Sequence, residues 1–445
     1  MSDATGAAIP NELRRHSGDK VTTATDTSSV QSVLDGLDAI TKPLESLYRD
    51  LHTHPELSDH ETRTAAKAAE QLEWAGCQVS TGVGGTGVVG VLRNGDGPTV
   101  MLRADMDALP VKEDTGLPYA STATATGPDG HTVPVMHACG HDMHVTWLSG
   151  ATKLLAGATD AWHGTLISLF QPAEELGTGA QAMIDDHLFD RFAKPDVILG
   201  QHVMPPSAGQ ISYRPGVTQS EEDNIEVRLF GRGGHGAWPE ATVDPIVMAA
   251  AVVLRLQTIV SREIAAFEPA VVTIGSLQAG TKGNVIPDDA VLKINVRSFD
   301  DAVRTRVLDA IKRIVTAEAS ASGAPQPPSF TSFDHFDLTV NDPATANHVG
   351  DAFRAYFGDD RVTKLVDPLP VSEDFGLFGQ EWKVPSLFWY VGGTDPGLYH
   401  RAAQAGRIAE DVPTNHSSKF APVLHPTLET GIETLVAATL SYLGK

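Results

Sequence analysis

With 445 residues, 41% of them hydrophobic, the chain can bury a large core and has the length for more than one domain. Its formal charge of −23 argues against a nucleic-acid partner, because phosphate binding requires clustered Lys and Arg. No run of 18 apolar residues appears and the N-terminus lacks a basic-then-apolar leader, so no membrane is expected; together with the use of only two cysteines, this makes the cytoplasm the expected compartment.

Residues 1–28 are rich in Thr, Ser, Ala and Gly and carry no periodic apolar face, which predicts a disordered tail. From Val30 onward, Val33, Leu34, Leu37, Ile40, Leu44 and Leu47 recur at helical spacing. His52 and His54 alternate like a ligand pair, but Pro55 makes this segment read as a broken helix end. A helix over 61–74 closes at Gly76. Strands are predicted over 78–83, 88–93 and 99–102, the last delivering Asp105 and Asp107 to a strand end.

The stretch from Met136 to His144 then sets five metal-capable side chains within eight residues: His137, Cys139, His141, Asp142 and His144. A helix over 142–155 follows, and its positive end favours the Cys139 thiolate. The sequence Gln171-Pro172-Ala173-Glu174-Glu175 closes an apolar strand over 166–170, and His202 directly follows a strand over 197–201; a further strand is predicted over 210–213. His416 stands far away in Asn415-His416-Ser417. Ligands arriving at the ends of separate strands are how an open α/β sheet builds a site, and a mixed S/N/O set suits zinc or another borderline divalent metal. The rival, a Cys139–His141 nucleophile pair, requires geometry that neighbours two apart rarely reach, and it leaves the Glu and His clusters idle.

After a break near 220–223 the order is strand 224–230, helix 245–262, strands 271–277 and 291–298, helix 302–319 and strand 329–333. This β-α-β-β-α-β order predicts a ferredoxin-like unit. The chain then returns through helix 344–357, a loop over 372–375, strand 386–391, the His416 loop and helix 426–443.

HACGHDMH at 137–144, QPAEE at 171–175, GGHGAWPE at 233–240 and NVIPDDA at 284–290 together resemble the M20 metallopeptidase family. The nearest branch is its amidohydrolase subgroup, which includes N-acyl-amino-acid, hippurate and auxin-conjugate hydrolases. The motifs match in order from about Leu51 to the C-terminus. The resemblance implies an α/β catalytic domain over 29–223 and 335–445, with a central mixed sheet flanked by helices. Into it a ferredoxin-like α+β lid and dimerisation domain, 224–334, would be inserted. It implies Cys139, His141, Glu175, His202 and His416 as ligands of two divalent ions (Zn, Mn, Co or Ni), with Cys139 bridging. Glu174 would be the general base toward a metal-activated water. His235 and Asn284 would stabilise the oxyanion, His235 from the partner of a homodimer, and Asp107 would orient a ligand. The expected substrate is an N-acyl amino acid or similar small amide.

Two departures bear on this reading. Asp105 stands where many M20 peptidases have a metal-binding His, which speaks against the alternative of a di- or aminopeptidase. Glu240 stands where relatives often have His after the Pro, which touches the lid contacts. A non-catalytic small-molecule-binding protein on the same fold is the other alternative, and the presence of Glu174 speaks against it.

Overall fold

Apolar runs between residues 78 and 213 meet those between 362 and 394 in one eight-stranded sheet. The computed structural model describes residues 27–127 and 130–445, so the expected tail lies outside the described residues apart from Thr27 and Ser28, and Ser28 already begins a helix. The strands are β1 (Gln78–Val83), β2 (Gly87–Asn94), β3 (Thr99–Asp105), β4 (Gly164–Gln171), β5 (Val197–Ser207) and β6 (Ile211–Tyr213). They are joined much later by β11 (Val362–Lys364) and β12 (Ser386–Thr394), in the spatial order β1-β2-β4-β3-β5-β12-β6-β11. β3, β4, β5 and β12 run parallel, whereas β2 and β6 are antiparallel to their neighbours β4 and β12, so the sheet is mixed.

Helices cover one face: α1 (Ser28–Leu34), α2 (Leu37–Thr53), α3 (Thr62–Ala75), α4 (His141–Gly157), α7 (Pro343–Phe357) and α8 (Leu424–Leu443). α2 turns Leu44, Leu47 and Leu51 inward, and α3 stops where Gly76 adopts a left-handed φ of 84°. α4 is buried nearly all round, as befits a helix wedged among others. Its Trp147 Nε1 donates to Thr427 O of α8 at 2.9 Å. Met101, Ile167, Ile198, Phe375 and Phe388 pack on the opposite face. With both faces covered, every residue of β12 is buried.

The chain enters a second sheet at Glu221 and leaves it at Phe336. Its strands are β7 (Glu221–Phe230), β8 (Ala270–Gln278), β9 (Asp289–Ser298) and β10 (Ser329–Phe336), in the order β8-β9-β7-β10. That is the ferredoxin-like order, and it has its own core. Val227, Leu229, Ile294 and Val296 meet Met248 and Val252 of α5 (Pro245–Thr258) and Ile311 of α6 (Asp301–Ala321). Asp244 and Asp300 cap these helices, each accepting from two backbone amides of the first turn. α5 continues into a π-turn, Ile259–Glu263. Among the described residues Pro245–Glu263 is the one helix long and apolar enough to cross a membrane, but its Met248, Val252, Leu256 and Ile259 are committed to this core.

The other face of the small sheet is polar. Cross-strand pairing brings Glu222 beside Arg297, Asn224 beside Asn295, and Asn224 beside Asp334. This face forms one wall of a cleft whose floor is the carboxyl edge of the large sheet.

Candidate metal centre

β3, β4 and β5 end side by side, and the turn before α4 rises between them. At that turn Gly140 has φ 85°, and a Cβ there would lie 2.4 Å from Val203 Cγ1. Only glycine lets Cys139 and His141 flank so tight an approach. Two non-glycine residues also adopt left-handed backbone beside the site, Ala173 (φ 47°) and His416 (φ 67°). Such conformations cost about 1 kcal/mol or more, and they persist where surrounding contacts hold them. Ala173 N donates to the buried Glu61 at 2.8 Å, and His416 N donates to Ala138 O at 2.8 Å.

His141 and His202 each have Nδ1 anchored, which turns Nε2 toward the site. His141 Nδ1 donates to Asp107 Oδ1 at 3.1 Å, while its buried Nε2 has no hydrogen-bond partner among the described residues and lies 3.9 Å from both Glu174 and Glu175. His202 Nδ1 donates to Val203 O at 2.7 Å, turning Nε2 toward Cys139 Sγ at 3.4 Å. His416 Nε2 stands 3.4 Å from Glu175 Oε2, and Glu175 Oε1 is buried and unpartnered. Cys139, Glu175 and His416 form one group with donor atoms within 4.8 Å of one another, and His141 and His202 belong to a second such group. Cys139 therefore stands between His202 on one side and Glu175 with His416 on the other.

The donor set fits a cation. Imidazole, thiol and carboxylate lone pairs converge, and the far nitrogen of each buried ring is anchored, as in metal sites generally. Burial works against a charged His416, yet hydrogen bonding to Cys139 and Glu175 lifts it to about 11. The negative groups there call for positive charge.

Asp107 ties the pieces together. Besides His141 it accepts from Ser58 Oγ at 2.7 Å and from the Glu175 backbone N–H at 3.0 Å. Burial pushes its carboxyl up, but the bond from His141 and that ring's charge hold it below the usual range. Glu174 points the other way: burial, then Glu373 and Glu175, raise its carboxyl well above normal.

Of the remaining metal-capable residues of the 137–144 stretch, His144 and Asp142 have other partners. His144 uses both nitrogens, Nδ1 toward Asp105 at 2.5 Å and Nε2 accepting from Val203 N–H at 2.9 Å. Asp142 accepts from Met143 N–H at 2.9 Å and from His52 Nδ1 at 2.7 Å, so His52 is a buried link between Asp142 and Glu113. His137 is buried with neither nitrogen partnered, and burial lowers it to about 4.

His235 and Asn284 are near each other on a two-stranded ribbon, Gly234–His235 against Val285–Ile286, with Gly236 N donating to Asn284 O at 2.9 Å. His235 is exposed, and neither residue lines the cleft of its own chain.

One cluster carried no signal as a unit in the sequence. Arg103, 2% exposed, donates to Gln171 Oε1 (2.8 Å), Asp105 (2.6 Å), Glu373 (2.7 and 3.3 Å) and Asp374 (3.1 Å). It joins three separate segments beside Glu174, whose carboxylate lies close to those of Glu373 and Asp374. Only the acidic pair in the 372–375 loop hinted at it.

A model of the peptidase family M20/M25/M40 matches residues 101–411. The hippurate hydrolase of Campylobacter jejuni is 38% identical over 346 residues, covering 77% of this chain and 87% of its own. The N-acetylcysteine deacetylase of Bacillus subtilis is 34% identical, covering 87% and 97%. Among solved structures, the Bacillus subtilis YXEP protein, described as a dinuclear metal binding peptidase from the M20 family, superposes with a TM-score of 0.69 at 28% identity, covering 91% of this chain and 99% of that one. With a mixed sheet, a ferredoxin-like insertion and a family match spanning the strands and turns that carry the first four candidate ligands, the chain belongs to the peptidase family M20/M25/M40.

Proposed function

We propose that the protein is a metal-dependent amidohydrolase that cleaves the amide bond of N-acyl amino acids or similar small amides. The observation that carries this is the pair of buried, unpartnered ligand atoms, His141 Nε2 and Glu175 Oε1, facing one another beside Cys139. The relatives named for hippurate and N-acetylcysteine support the substrate class. Cys139, His141, Glu175, His202 and His416 would hold two divalent ions, Zn, Mn, Co or Ni. When bound, the ions supply Lewis acidity that polarises the amide carbonyl and acidifies a water.

Glu174 takes the proton of the attacking water and returns it to the leaving nitrogen. Its raised proton affinity, from burial and from Glu373 and Glu175, suits a group that must hold a proton between the two steps. Asp107 is a positioning residue, fixing the ring of His141 and the backbone of Glu175. His235 and Asn284 donate hydrogen bonds to the oxyanion of the partner subunit's substrate. Their position outside their own cleft supports that assignment, and so does the apolar surface of the lid. Val247, Leu254, Val271 and Leu277 are exposed on α5 and on the edge strand β8, a surface suited to a second copy. We place the homodimer in the cytoplasm.

Exhaustive chelation followed by reconstitution tests the reading. Hydrolysis of N-acetyl and N-benzoyl amino acids should vanish on metal removal and return with Mn, Co, Ni or Zn. Full activity in metal-free protein overturns it.

A further inference from the structure

The proposed reaction uses the floor of the cleft and leaves its lid wall unexplained. The cleft encloses about 360 Å³, and Glu222, Asn224, Arg297, Asp334 and Phe336 line it on the lid side. Arg297 is the only Lys or Arg among the lining residues, and its guanidinium is already engaged. Nη2 lies 2.6 Å from Glu222 Oε2, and Nη1 donates to Pro370 O at 3.2 Å and Ser372 Oγ at 3.1 Å. Glu222 Oε1 in turn accepts from Asn224 at 3.0 Å and Asn295 at 2.5 Å. This group is balanced in charge and closed in hydrogen bonding.

Asp334 stands outside it. The carboxylate lines the same cleft and makes no hydrogen bond or ion pair with any described residue. Lys293 acts on it only through space, its Nζ lying 5.5 Å from the centre of the Phe333 ring. Burial and the charge of Glu222 push the carboxyl of Asp334 above its usual range, against the opposing charge of Lys293.

We infer that Asp334 is a specificity residue that selects substrates whose amino-acid part carries a cationic side chain, pairing its ammonium or guanidinium with this carboxylate. An anionic side chain would meet Asp334 while the one guanidinium of the cleft is held by Glu222, so the same wall disfavours acidic side chains. The inference rests on the amidohydrolase reading for its substrates but not for its site.

The test compares N-acetyl-L-lysine, N-acetyl-L-norleucine and N-acetyl-L-glutamate on the metal-loaded, full-length protein. Norleucine matches the lysine chain without its charge. The kcat/KM ratio of the lysine to the norleucine compound should be roughly 2 to 5, the effect of up to about 1 kcal/mol from a partly exposed ion pair. In Asp334→Asn that ratio should fall toward one, and the relative rate on the glutamate compound should rise. A second readout needs no turnover: titration calorimetry of the three compounds into Glu174→Gln, and into Glu174→Gln combined with Asp334→Asn. Preferential binding of the lysine compound, lost in the double variant, supports the inference. Equal binding of lysine and norleucine compounds, or a preference that survives Asp334→Asn, overturns it. Absence of hydrolysis of all three compounds counts against the amidohydrolase reading, and the calorimetric comparison still decides the role of Asp334.

Discussion

Replacing Arg103 with Met removes the one cation from a buried group of three carboxylates. All five N–H donors of the guanidinium are used, in five bonds to Gln171, Asp105, Glu373 and Asp374. Methionine fills much of the volume but removes the guanidinium from all three acids. Asp105 keeps His144, whereas Glu373 and Asp374 keep only uncharged donors, Phe375 N–H for the one and Gln171 Nε2 with Ala180 N–H for the other. Breaking a buried pair from one side costs about 3–5 kcal/mol. Against a typical net stability of about 5–15 kcal/mol that is a large fraction. Urea unfolding followed by fluorescence would read it, since Trp147, Trp162 and Trp389 are fully buried. Arg103→Lys keeps the charge without the planar fork and should fall between.

The same substitution has a pH signature. Burial raises Glu373 to about 8 in the fold even with Arg103 lowering it, against an ordinary value of 4.5. The folded state therefore binds this proton more tightly than the unfolded state, and the associated stability is lost as pH rises from about 4.5 through 8. Removing Arg103 pushes the folded value higher still. The deficit of Arg103→Met relative to wild type should therefore be smaller at pH 6 than at pH 9. A variant as stable as wild type at pH 9, or a deficit that grows on acidification, would refute the argument.

Two further outcomes are expected. Glu174→Gln should lower turnover by roughly 10²–10⁴-fold with metal content retained, whereas Glu175→Gln should lose metal; metal analysis showing the reverse would exchange their roles. His235→Ala and Glu174→Gln homodimers should each be nearly inactive, while mixed dimers regain activity because one of their sites combines an intact Glu174 with an intact His235. No recovery in heterodimers confirmed by mass would put His235 outside the neighbouring site.

Much of the fold was legible because hydrophobic period and turn residues agree along most elements. The strand over 78–83 has the bounds read from the sequence, and the six elements of the small sheet occur in the order read. Boundaries drifted where no capping residue marks them: β3 runs on to Asp105 and β5 to Ser207, because neighbouring strands keep pairing past the apolar run. Helix Pro396–Ala405 went unread, since only Ala402 in it is buried and no apolar face announces it. At the site, spacing could propose which residues are metal-capable but not which are already engaged. His144 and His141 look alike in sequence, and each ring has its Nδ1 on an aspartate; the difference is that Val203 N–H occupies His144 Nε2, whereas His141 Nε2 has no hydrogen-bond partner among the described residues. Arg103 gave no sign, because its partners come from positions up to 271 residues away.

β12 lies between β5 and β6, two strands separated by only three residues in sequence, yet β12 begins at Ser386, after the whole small sheet. The large sheet is consequently sewn shut by its latest strand. A chain still emerging from the ribosome can complete the small sheet while β5 and β6 have nothing to pair with across the gap between them. Cutting the small sheet out at its two crossings would likewise leave two fragments that share a single sheet, held to each other by backbone hydrogen bonds across β12.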